Sequence, residues 1–177
     1  MGNNTLIIDL SQDLETIWRG IKKRRRETIR QAERLGVIIM EDCRLNDFQA
    51  LYWMIRKTIN VPSFHVSIAE LKTRKVFIAV DATDETVAVA AFMFCENGTR
   101  LRLQYAASKR YDPKKKKISG LANAMLYWET IKWAKQKGMK IYDFGGYTVE
   151  IFVNKRDNTQ VNSWKASFGG VLAKKVC

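Results

Sequence analysis

Lys165 stands between Trp164 and Phe168, and Asp143 directly precedes Phe144-Gly145-Gly146. A carboxylate at the end of an apolar run can take the proton from an attacking ammonium, although such aspartates more often bond nearby backbone. A lysine flanked by aromatics can hold a cation in a partly dry pocket, where it is worth far more than in water; the plainer reading is a surface lysine between core aromatics at helical spacing. Lys117-Ile118-Ser119-Gly120-Leu121-Ala122 opens a helical pattern, and a helix start presents unpaired N–H groups and a positive dipole end to an anion, with glycine allowing close approach. The plainer reading there is a solvated lysine-rich loop. His65, the single histidine, titrates near neutrality and can serve as base or acceptor contact, while Tyr105 and Tyr147 carry phenols able to donate hydrogen bonds. No nucleophile elbow and no usable Cys-His pair is present, so chemistry through a covalent side-chain intermediate is not indicated.

The elements that must position these groups follow from patterning. Thr5–Leu10 reads as a strand, with Ser11 placed to cap a helix whose inner face is Leu14, Ile17, Trp18 and Ile21. The basic run Lys22–Arg26 comes next, then Ile29, Ala32 and Leu35 at helical spacing, a stop at Gly36, and a strand over Val37–Met40. Asn46 or Asp47 caps a helix carrying Phe48, Leu51, Trp53, Met54 and Ile55 that ends before Pro62, and a short helix follows over Ile68–Lys72. Val76–Val80, Thr86–Cys95 and Leu101–Ala106 read as an antiparallel meander. A long helix burying Leu121, Met125, Trp128 and Ile131 stops at Gly138 and leads into a strand over Met139–Phe144; Thr148–Asn162 has no clear pattern, and Val171-Leu-Ala closes as a strand.

The 177 residues, 46% hydrophobic, suit one mixed α+β domain with a real core. The formal charge of +13 attracts anions: nucleic acid, nucleotide-linked substrates or an acidic membrane surface. Arg26 and Arg30, one helical turn apart, make a cationic surface suited to phosphates or an acidic acceptor. Cys43, Cys95 and Cys177 are an odd number set far apart, so no metal site is expected and a reducing cytoplasm fits best. No leader pattern opens the chain, and its longest apolar stretch is less than half a membrane span.

Strand, two helices, a meander, then a long helix leading into a strand with paired glycines resembles the GNAT acyltransferase fold, with its mixed, largely antiparallel sheet flanked by helices. Within it the chain is similar to the Fem-like branch, whose founding members add amino acids from aminoacyl-tRNA to peptidoglycan precursors. Arg25–Glu33 with Gly36-Val37, Leu126-Tyr-Trp with Ile131 and Ala134, Tyr142–Gly146 and Trp164–Gly170 carry the resemblance across nearly the whole chain. It implies an N-acyltransferase whose donor lies where the strand before the long helix splays from the strand after it. Lys165 and Asp143 would be the catalytic residues, and Tyr105, Phe144, Gly145, Gly146 and Trp164 would line the donor. Arg26, Arg30, His65 and Tyr147 would meet the acceptor, such as a precursor peptide. Fem enzymes usually carry two such domains, and the length here suits one, with a homodimer as a way to restore the pair. No tightly bound cofactor is implied; the co-substrate is aminoacyl-tRNA or, because Lys117–Ala122 approximates the GNAT pyrophosphate loop, acetyl-CoA bound by Lys117, Ser119, Gly120 and Ala122. A non-catalytic RNA-binding module that retains the fold is the alternative from another class.

Overall fold

A computed structural model of the protein describes residues 4–58, 65–147 and 159–174. Along the chain run β1 (Asn4–Asp9), α1 (Leu14–Gly20), α2 (Lys23–Arg34), β2 (Ile38–Glu41), α3 (Leu45–Thr58), α4 (Ile68–Leu71), β3 (Lys75–Val80), β4 (Thr86–Cys95), β5 (Arg100–Ser108), α5 (Lys116–Gln136), β6 (Ile141–Tyr147), α6 (Thr159–Ala166) and β7 (Val171–Lys174). The strands hydrogen-bond in the order β2-β3-β4-β5-β6-β1-β7, giving a mixed, largely antiparallel seven-stranded sheet. This is the α+β architecture that the element order implied.

Two compact units make up the chain. One comprises Met1–Arg26, Phe94–Arg102 and Lys132–Cys177. In it β1 runs antiparallel to both β6 and β7, with Ile8 opposite Tyr142 and Leu6 opposite Leu172. Its core includes Leu6, Ile8, Leu10, Ile17 and Ile21 with Tyr142, Phe144 and Phe168, all nearly inaccessible. Helix α1 is capped by Asp13, whose carboxylate accepts the Thr16 N–H at 2.8 Å, and not by Ser11 as the spacing predicted. Ser11 instead donates its own N–H to Asp9 at 2.8 Å.

The other unit comprises Glu27–Met93 and Leu103–Ile131. Phe48, Leu51, Tyr52 and Ile55 of α3 pack with Val66 and Leu71 onto Val76, Ile78, Val80, Val89, Ala91 and Ala107. Residues Thr86 to Phe92 of β4 are buried in succession, the mark of a strand covered on both faces. Helix α2 already begins at Lys23, so the basic run is part of it rather than a lead-in. At the two glycine stops, Val37 N–H bonds Ala32 O and Met139 N–H bonds Ala134 O, the six-to-one closure that the sequence promised. Helix α5 also buries Ala122, Ala124, Leu126, Tyr127, Thr130 and Ala134, so it is covered on more faces than the single stripe read from Leu121, Met125, Trp128 and Ile131, of which Met125 is only half-buried. Among the described residues no helix is long and apolar enough to cross a membrane. Cys43 is free and Cys95 is disulfide-bonded, which the scattered cysteine count did not announce.

Candidate active site

The end of β6 is irregular, and the irregularity is where the predicted groups meet. Thr5 of β1 faces Gly146 while Ile7 faces Asp143, so β6 carries one residue more than its partner over this step. That is a β-bulge, and Gly145 adopts φ 72° within it, a left-handed conformation that costs a residue with a Cβ about 1–2 kcal/mol. Asp143, fully buried, clamps the bulge: its Oδ1 accepts the Gly145 N–H at 2.8 Å and the Thr5 hydroxyl, which also lies 2.9 Å from Gly145 O. Its Oδ2 receives Arg100 at 3.3 Å, with Arg102 at 3.8 Å. Both arginines come from β5, whose parallel register with β6 pairs Arg100 with Ile141, Leu101 with Tyr142 and Arg102 with Asp143. Arg100 also meets Glu96 at 3.0 Å.

Two expectations change here. A buried carboxylate that already accepts from a hydroxyl, an amide and Arg100, with Arg102 at ion-pair distance, is largely engaged within the fold, so Asp143 is better placed to hold the bulge than to take a proton from a substrate ammonium. The N–H of Gly145, a residue expected to line the donor, is likewise engaged inside the bulge.

Lys165 arrives from α6. Only 9% exposed, it donates from Nζ to the carbonyl of Gly146 at 2.7 Å. Burial pushes its pKa down to about 8 from 10.5; the charge of Asp143 opposes that shift and the charge of Arg102 adds to it. Helix α6 is fixed by aromatic packing, with Trp164 edge-on to Phe168 at 5.1 Å and Phe168 against Phe144 at 5.4 Å. Arg25 stacks over Trp164 and Phe168 at 5.2 and 5.4 Å and donates to Ser167 Oγ at 2.9 Å. After α6 the chain turns through Gly169 and Gly170, where a Cβ would lie 2.5 Å from Gly20 O and 2.8 Å from Ile7 O. The motif Trp164–Gly170 is therefore close-packed against α1 and β1.

Of the remaining predicted residues in this unit, Phe144 is buried against Tyr142 at 5.0 Å, and Gly146 is exposed. Tyr147 ends β6 opposite Asn4, and its side chain lies outside the described residues. Arg26 turns inward, its NH1 meeting the carbonyls of Arg19 at 2.9 Å and Ile21 at 3.0 Å, so it closes the end of α1 rather than presenting a free phosphate fork.

In the other unit, Tyr105 donates to Glu70, packs edge-on to Tyr52 at 5.5 Å, and has its pKa pushed up to about 12 by burial and by Glu70. Arg30 is exposed, and His65 is exposed with its ring 5.8 Å from that of Trp53. At the head of α5, Lys117 and Gly120 are exposed while Ser119 and Ala122 are fully buried. Of the amides expected to cradle a pyrophosphate, that of Ser119 bonds Lys115 O at 2.8 Å, and just before them Lys116 N–H bonds Asp112 O at 2.7 Å. Asp112 further accepts the Lys114 N–H at 2.9 Å, placing a carboxylate at that turn. Thr5, Arg100 and Arg102, the partners that make the Asp143 cluster, were not singled out from sequence; two arginines alternating with Leu101 and Leu103 at the start of a strand were the available sign.

The fold is one shared with solved structures, as the resemblance implied. It is similar to the crystal structure of FemX, with a TM-score of 0.78, 14% identity, and coverage of 98% of this chain and 60% of that one. It also matches the structure of L-PGS from Bacillus licheniformis (TM-score 0.64, 15% identity, 98% of this chain, 60% of that). The C-terminal domain of a putative lysylphosphatidylglycerol synthetase from Agrobacterium fabrum matches with a TM-score of 0.69 at 11% identity, over 96% of this chain and 57% of that one. The chain thus spans about 60% of the length of the structures it resembles. No family model and no curated protein matches the sequence.

Proposed function

We propose that this chain is an N-acyltransferase that moves an activated aminoacyl group from an ester donor, aminoacyl-tRNA, onto an amine such as that of a peptidoglycan-precursor peptide. The observation that carries the reading is the Lys165 ammonium held beside the β6 bulge with its Nζ on Gly146 O, in a fold shared with FemX and with a lysylphosphatidylglycerol synthetase domain. The amine attacks the acyl carbonyl directly. A fixed cation in a water-poor site stabilises the oxyanion that forms, an effect worth roughly 2.7–4 kcal/mol for one well-placed donor. Asp143 positions rather than reacts: by clamping Gly145 and pairing Arg100 and Arg102 it holds the strand end on which Lys165 rests. The net charge of +13 favours a polyanionic donor.

Between donors, the head of α5 favours aminoacyl-tRNA over acetyl-CoA. Two of its amides and the neighbouring Asp112 carboxylate are engaged within the chain, which weakens the case for a pyrophosphate cradle there. Incubation with radiolabelled aminoacyl-tRNA and, separately, acetyl-CoA, each with a precursor peptide or with phosphatidylglycerol vesicles, tests the reading. Transfer from charged tRNA is expected. Transfer from acetyl-CoA alone would replace the donor, and label appearing in lipid instead of peptide would replace the acceptor.

A further inference from the structure

Resting on the proposed acyl transfer, we propose that Lys165 is also the proton carrier of the reaction: its neutral amine takes the proton from the attacking nitrogen and hands it to the departing oxygen. The geometry that assigns this is a matter of who is left. Asp143, the carboxylate whose charge acts on Lys165 among the described residues, is engaged by Thr5, Gly145 and Arg100, with Arg102 at 3.8 Å. The hydrogen bond described for Lys165 Nζ goes to a neutral carbonyl, Gly146 O at 2.7 Å, and not to a carboxylate.

Among the described residues, the charged groups that act on this amine are Asp143 from β6 and Arg102 from β5, with Arg100 and Glu96 beyond them on the same network. Arg25, from α2, lies against Trp164 and Ser167 of the same segment as Lys165. Counting Arg100, Arg102 and Lys165 against Asp143 and Glu96, three cations meet two anions, so removing the lysine proton brings the cluster to neutrality. Burial works in the same direction, and the pKa of about 8 leaves both protonation states accessible near neutral pH.

The step balances. As the acceptor nitrogen bonds to the acyl carbon, one of its protons passes to Lys165 Nζ. The resulting ammonium stands beside the oxyanion, and when the carbonyl re-forms and the C–O bond to the donor breaks, the proton goes to the leaving oxygen. Products are an amide and an alcohol, and the lysine returns to its neutral form. One nitrogen thus supplies both the base and the cation that the transition state needs.

The test is single-turnover transfer from charged tRNA across pH 6.5–9.5, using an acceptor amine whose own titration lies below pH 7, for the wild type and for Lys165→Arg and Lys165→Met. Alongside, NMR titration of the Lys165 Cε in lysine-labelled protein, assigned by its absence from the Lys165→Arg spectrum, reads the ionisation without turnover. Expected are a wild-type rate that rises to a plateau with an inflection near 8, a matching NMR midpoint, and a loss of about 100-fold or more in both variants, with no inflection left. Wild-type transfer that Lys165→Arg preserves within about tenfold overturns the proton role while leaving the acyltransferase reading intact. An NMR midpoint at 10 or above overturns it as well. No wild-type transfer from any donor overturns the acyltransferase reading and the proton role together.

Discussion

Asp81 and Asp143 are both nearly inaccessible carboxylates with basic partners, yet the lysines beside them have pKa values shifted in opposite directions. At Asp81, burial alone would raise the carboxyl pKa, but Lys115 at 2.7 Å, the Thr83 hydroxyl at 2.6 Å and two backbone amides outweigh it and hold the group well below the usual carboxylate range. Lys115 also meets Glu85 at 2.5 Å, and Glu85 in turn pairs with Lys109. Two carboxylates against two lysines leave Lys115 firmly protonated, its pKa raised above the ordinary value. At Asp143 the arginines take the carboxylate first, and Lys165 is left with a carbonyl and a depressed pKa. Among the described residues the difference lies in stoichiometry and burial rather than in residue type: Lys115 bonds two carboxylates directly, and Lys165 bonds a carbonyl.

The largest expected effect comes from breaking the buried side of this comparison. Asp143→Asn keeps the shape but leaves Arg100 and Arg102 without their shared counter-charge, and is expected to cost about 3–5 kcal/mol in urea unfolding. A loss under about 1 kcal/mol would mean that the arginines are compensated elsewhere. Gly169→Ala, which drives a Cβ onto Gly20 O at 2.5 Å and strains a φ of 82°, is expected to cost about 2–4 kcal/mol by the same measurement.

A subtler effect follows from the protonation of Lys165. Its folded pKa, about 8, lies below the ordinary 10.5, so between those values the unfolded chain binds more protons and stability rises with pH. Below pH 8 the full cost of burying the ammonium is present. Lys165→Met removes that cost, so its stability relative to the wild type should fall by about 1–3 kcal/mol between pH 7 and pH 10.5. A pH-independent difference, read from unfolding curves of both proteins, would place the ammonium in solvent. The smallest effect belongs to the paired cluster: Lys115→Met should shift the melting temperature by about 2 °C or less, and by still less in high salt.

Much of this architecture can be read from local pattern. The glycine closures at Gly36 and Gly138 and the unbroken apolar run from Val87 to Cys95 each produce the element they announce, and the spacing of Leu14, Ile17 and Ile21 yields α1, although Leu14 is exposed and Ile21 follows the helix as its C-cap. Asp143 and Lys165 were found because glycines and aromatics mark their surroundings. What stayed hidden depends on pairings far apart in sequence. Thr5 reaches Asp143 across 138 positions, and Arg25, which reads as one more cation in a basic run, packs on Trp164 and Phe168. The competition of Arg100 and Arg102 with Lys165 for one carboxylate is set by the parallel β5–β6 register, which no local spacing encodes. For the same reason the engagement of Asp143 within the fold was hidden: its type permits proton transfer, and its bonds to Thr5, Gly145 and Arg100 join distant parts of the sequence.

The most direct measurement is the single-turnover rate of aminoacyl transfer from charged tRNA by the wild type and Lys165→Met, each first shown to be folded by a cooperative melt. The account predicts transfer by the wild type and a rate lower by roughly 100–1,000-fold in the variant. Equal rates in two folded proteins would contradict it.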